Sequence, residues 1–167
     1  MQEHEEAFVG RRVLANTQLT SLNSITGGTA GENGTRWDLR EALAHASYEA
    51  FFVGNTLKFT LSSLTSLDVS VNSLHDISAS KAILHNLPST LKQLNISQCS
   101  LGSQGVFALA AILPSAGSQS LTDLDLSQNY CGEKGAEAIA ATLSCLGSLT
   151  RLVMSGNEVM APGGAAI

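Results

Sequence analysis

The chain has 167 residues, 9 Lys+Arg against 14 Asp+Glu and a formal net charge of −5, and no Lys/Arg run of the kind that binds nucleic acid. Hydrophobic residues make up 44% and the mean hydropathy is +0.14, which is enough apolar side chain for a core and excludes wholesale disorder. Only 14% of the residues are charged, against about 25% in an average soluble domain, so part of the surface is expected to be covered by something else.

Taken in chain order, the acidic start Met1-Gln2-Glu3-His4-Glu5-Glu6 leads into no long apolar stretch. No secretory signal is visible, and a cytoplasmic location is expected. Segment 8–18 is a poor repeat, with Arg11 where a leucine belongs, yet Asn16 lies 56 residues before Asn72, twice 28. Segment 20–36 is rich in Thr, Ser, Gly and Asn, including Gly27-Gly28 and Asn33-Gly34, and reads as a surface loop. Segment 37–52, from Trp37 through Leu43 and Phe51, has 3.6-period apolar positions and no breaker, which predicts a helix. Leu57, Phe59 and Leu61 alternate, which predicts a short strand over 56–61. Residues 1–63 are therefore expected to form an irregular or degenerate repeat ahead of a more regular region.

From residue 64 the chain repeats itself. The sets Leu64, Leu67, Val69, Asn72 and Leu74; Leu91, Leu94, Ile96, Cys99 and Leu101; Leu121, Leu124, Leu126, Asn129 and Cys131; and Leu149, Leu152, Met154, Asn157 and Val159 fall in one register. Each segment reads L-x-x-L-x-L-S-x-(N/C)-x-(L/C/V), and the first leucines are 27, 30 and 28 residues apart. Positions 4 and 6 alternate with polar residues, so each segment is a strand with one buried and one wet face. The position-9 amide can bond backbone groups of the turn, and stacked repeats would form a ladder of such bonds. Cys99 takes that place in the second repeat and reads as a buried ladder residue.

Behind the strands, segments 102–113 and 132–143 carry apolar residues at helical spacing, and both begin Gly-x-x-Gly. The first glycine is expected in a tight turn, the second where a helix start leaves room for the next repeat. The longest apolar run, 106–114, is nine residues, too short to span a bilayer. At the other end Gly163 and Ile167 match Gly135 and Ile139, so the fourth repeat is expected to be cut in mid-helix, as a piece of a longer chain or larger complex would be.

These residues carry the leucine-rich-repeat pattern, and the spacing N-x-x-G-x-x-G-A-x-A-I/L-A resembles the ribonuclease-inhibitor-like subclass over residues 64–167. The resemblance implies an α/β solenoid, a horseshoe with a parallel sheet on its concave side and helices on its convex side. More narrowly, Leu94-Asn95, Cys99-Ser100-Leu101, Ser103, Gly105-Val106, Leu109, Leu113 and Leu121 to Asn129 resemble a double repeat of the CARMIL family, over about 36 residues. That family links actin capping protein and myosin I, which implies a cytoskeletal scaffold. Its capping-protein-binding segments lie outside the horseshoe and have no counterpart here, so no family binding residue is carried over.

A catalytic constellation is not visible. His4, His45, His75 and His85 are scattered, and His75-Asp76 falls in a turn. Segment 27–34 is glycine-rich but lacks the Lys-Ser/Thr of a phosphate loop. The three cysteines, 99, 131 and 145, lack C-x-x-C spacing, which disfavours zinc, and their odd number fits buried thiols in a reducing compartment. Asn33-Gly34-Thr35 and Asn95-Ile96-Ser97 match the glycosylation triplet, which without a secretory signal reads as coincidence. No enzyme activity, cofactor or metal is expected.

What remains is surface. Positions 3, 5 and 7 point away from the core: Ser66, Asp68, Ser70; Gln93, Asn95, Ser97; Asp123, Asp125, Ser127; Arg151, Val153, Ser155. Stacked strands would join them into one polar concave face. Asp68, Gln93, Asn95, Asp123, Asp125 and Arg151 are the candidate partner-binding residues, with Asp123 and Arg151 placed to pair across strands. The expected function is a non-catalytic interaction scaffold that docks a protein with a basic or hydroxyl-rich patch. Two other functions fit a horseshoe: a structural subunit of a large assembly such as an axoneme or ribosome, and a GTPase activator using Arg36 or Arg40.

Overall fold

The computed structural model describes residues 29–30, 35–41, 43, 50, 53, 54, 57, 63–114 and 120–159. Six strands, β1 (Thr29–Ala30), β2 (Arg36–Asp38), β3 (Ser66–Asp68), β4 (Gln93–Asn95), β5 (Asp123–Asp125) and β6 (Arg151–Val153), form one sheet in chain order. β1 pairs antiparallel with β2, and every later pair is parallel. Three helices, α1 (Ile77–Leu84), α2 (Gly102–Ile112) and α3 (Gly132–Leu143), lie between successive strands from β3 onward. The sheet and helices enclose one hydrophobic core.

The register follows the repeat. Trp37, Leu67, Leu94, Leu124 and Leu152 are cross-strand partners, and the first four are buried. Facing them from the helices are Val106 and Leu109 of α2 and Ala136 and Ile139 of α3, all fully buried. Repeats are joined a second time by threonines. Thr65, Thr122 and Thr150 each donate a hydroxyl to a carbonyl one repeat earlier, on Thr35, Lys92 and Thr122, at 3.1 Å.

The position-9 residues form the ladder. Asn129, fully buried, donates from Nδ2 to the carbonyls of Ile96 and Leu126 at 2.7 and 3.1 Å, and its Oδ1 accepts the Cys99 and Leu101 amides at 3.0 and 3.3 Å. Asn72 and Asn157 bond in the same way to flanking backbone. The Cys99 thiol takes the donor's role, 3.1 Å from the Val69 carbonyl. Burial pushes this thiol up to about 12; backbone hydrogen bonds from Asn72 and Val71 oppose the rise and the nearby Asp68 charge adds to it.

Gly102 and Gly132 have φ of +63° and +61°, a left-handed turn that costs a residue with a Cβ far more. Their amides bond to the Asn129 and Asn157 carbonyls, so each helix start is tied to the next repeat's ladder residue. At Gly105 and Gly135 a Cβ would come within 3.0 Å of the Cβ of Leu101 and of Cys131, so the second glycine makes room against the start of its own helix. The expected crowding against the neighbouring repeat is only an ordinary 3.4 Å contact of Gly135 with Val106.

The structure departs from sequence expectation ahead of residue 64. Trp37 lies on a strand and not in a helix over 37–52; helical backbone occurs at Ala50, Val53, Gly54 and Leu57. The open edge of β3 needs backbone partners, and Arg36-Trp37-Asp38 supplies them with Trp37 in the leucine slot. That substitution leaves the fully buried indole Nε1 without a hydrogen-bond partner among the described residues. The expected strand over 56–61 is not seen at Leu57, which is helical, and the expected loop over 20–36 contains β1 and Arg36. The degenerate repeat over 8–18 and the helix start at 161–167 lie outside the described residues.

Candidate functional site

Strands β2 to β6 are each only three residues long and present their first and third side chains on the face away from the helices. Parallel pairing aligns them into two rows. The first runs Arg36, Ser66, Gln93, Asp123, Arg151; the second runs Asp38, Asp68, Asn95, Asp125, Val153. All six sequence-predicted residues, Asp68, Gln93, Asn95, Asp123, Asp125 and Arg151, therefore share this face. With Arg36 and Ser66 they line one shallow depression. Arg36 is the member that sequence reasoning did not place there, because its strand carries tryptophan where the repeat has leucine.

The second row has a structural duty as well. Asp38 Oδ1 accepts the Arg40 amide at 3.1 Å, Asp68 Oδ1 the Ser70 amide at 2.9 Å, Asn95 Oδ1 the Ser97 amide at 3.0 Å and Asp125 Oδ1 the Ser127 amide at 2.9 Å. Each side chain turns its own strand end by bonding the backbone two residues on. Asp125 Oδ1 also accepts the Ser127 hydroxyl at 2.7 Å. Beyond this turn the alternation ends. The position-7 serines Ser70 and Ser97 are buried, at 3% and 8% exposure, and do not belong to the open face as their spacing suggested.

Across strands, Asn95 Nδ2 donates to Asp68 Oδ2 at 3.0 Å. Arg151 Nη1 lies 3.5 Å from Asp123 Oδ1, the pairing that spacing suggested, and both groups are wet enough for this contact to add little stability. Arg40 pairs with Glu41 at 3.8 Å, outside the two rows. His75 shares a 2.7 Å hydrogen bond with Ser73 Oγ, and Asp76 caps α1 by accepting the Ser78 amide at 2.8 Å. Among the described residues no group of three or more His, Cys, Asp or Glu is placed to hold a metal ion, and no helix is long and apolar enough to cross a membrane.

A family model described as a leucine-rich repeat matches residues 88–110 and 117–140, which span β4 with most of α2 and β5 with most of α3. Two leucine-rich repeats thus account for the centre of the sheet. No curated protein matches the chain.

Proposed function

We propose that this chain is a non-catalytic protein-interaction segment that docks a protein partner on the two-row face of its sheet. The observation carrying this reading is the face itself: five parallel strands in continuous register, with polar and charged side chains held outward by a buried backbone ladder. Leucine-rich repeats generally serve as such surfaces, and a face fixed by stacking loses little conformational entropy when a partner docks. In this reading the sheet is the concave side of a horseshoe of ribonuclease-inhibitor-like repeats within a larger scaffold. The Gly-x-x-Gly helix starts support the subclass, and the residues shared with the CARMIL double repeat support a cytoskeletal setting.

The test is capture of interacting protein by the whole chain, compared with two variants. Gln93→Arg places a bulky cation at the middle of the face, where the Gln93 side chain is exposed. Glu137→Arg does the same on the exposed side of α3. A specific protein retained by wild type and Glu137→Arg but lost by Gln93→Arg is the expected result. Loss through Glu137→Arg alone would move the docking surface to the helices.

A further inference from the structure

The two rows differ in charge. The first holds Arg36 and Arg151 against Asp123; the second holds Asp38, Asp68 and Asp125 and no cation. Asp38 and Asp68 are direct cross-strand partners, so two carboxylates stand about 4.8 Å apart at the backbone, an arrangement that like charges disfavour. Asp125 is flanked by Val153 and by Asn95, whose amide is turned to Asp68. The acidic row is thus compensated by no cation of its own, and among the described residues Arg36 makes no ion pair.

From this asymmetry we infer that the partner presents an extended segment with two basic side chains over the second row, one at the Asp38–Asp68 pair and one at Asp125, and an acidic group near Arg36. The inference rests on the docking reading above and specifies its occupant. Strand spacing sets the separation: from midway between Asp38 and Asp68 to Asp125 is two and a half strands, about 12 Å. In an extended chain residues i and i+4 lie about 13 Å apart on one side, with residue i+2 facing Asn95 between them. The motif is basic-x-polar-x-basic, crossing the strands. Val153 beside Asp125 offers apolar surface for the aliphatic stem of the second base. Arg36, two residues from Asp38 on β2, fixes the direction in which the segment lies.

The test selects binders from a library of random linear peptides displayed against the whole folded chain, then measures their affinities for variants. Asp125→Asn removes the charge and keeps the turn, since Asn95 makes the same turn in β4. Asp38→Asn does the same at the other end. Selected peptides enriched in Arg or Lys at i and i+4, weakened roughly tenfold by either variant and further by salt, are the expected result, the factor being that of one lost charge-assisted contact. Peptides that lose binding with Gln93→Arg but carry no paired bases, or ignore both Asp→Asn variants, would overturn this inference and leave the docking face standing. Binders indifferent to Gln93→Arg, or no binders at all, would overturn both.

Discussion

Asn129→Ala should strike the backbone ladder directly. The residue is fully buried, and its removal leaves the Cys99 and Leu101 amides without an acceptor and the Ile96 carbonyl without a donor, while the Leu126 carbonyl keeps Asn157 Nδ2 at 2.8 Å. An unsatisfied buried polar group costs about 1–3 kcal/mol, so three such groups at the low end predict a loss of about 3 kcal/mol. That is a large share of the roughly 5–15 kcal/mol that holds a typical domain together. Asp125→Ala is the matched control: it removes one turn at the strand end and should cost about 1 kcal/mol. Urea unfolding of the two variants and wild type gives both numbers. Native-state hydrogen exchange adds a local reading, in which the Cys99 and Leu101 amides lose protection in Asn129→Ala alone. A loss below about 1.5 kcal/mol, or amides as protected as in wild type, would refute the idea that this ladder couples the repeats.

Three further outcomes follow from the packing and the thiols. Leu126→Ala, at a fully buried position behind β5, should cost about 2–5 kcal/mol by leaving a cavity; denaturant midpoints check it, and a neutral result would break the assigned register. Gly54→Ala would push a Cβ into the Ala82 carbonyl, where backbone must shift, so a loss of about 1–3 kcal/mol is expected in thermal unfolding. Of the three cysteines, exposed Cys145 should react with a thiol reagent in the native state, while buried Cys99 and Cys131, both raised by burial, should react only on unfolding. The unfolded Cys99 thiol ionises from its ordinary 9.0, whereas the folded one keeps its proton to about 12. The unfolded state therefore sheds protons first, and stability should fall as pH rises through that window, measurable by unfolding in alkaline buffers and blunted by Cys99→Ala.

The spacing of leucines, asparagines and glycines after residue 64 contains most of the fold. Strands β3 to β6 stand where positions 3 to 5 of each repeat place them, and α2 and α3 occupy Gly102–Ile112 and Gly132–Leu143 against expected segments 102–113 and 132–143. Cys99 as a ladder residue was equally legible, because position in the repeat, and not residue type alone, sets the job. The six candidate residues share one face for the same reason: period-2 alternation and constant register leave them no other.

Other features needed the tertiary structure. β2 was hidden because tryptophan and alanine stand in the leucine and asparagine slots, and 3.6-period apolar spacing over 37–52 imitates a helix; only the open edge of β3 selects the strand. Burial of Ser70 and Ser97 was hidden because a three-residue strand ends before position 7, where alternation no longer holds. The double duty of Asp125, charged group on the face and acceptor for its own turn, is set by backbone geometry that spacing does not encode. Sequence by itself determined which residues repeat and which side of a strand they take, because both follow from local periodicity. Tertiary structure decided which charges become neighbours, because that depends on how successive repeats stack.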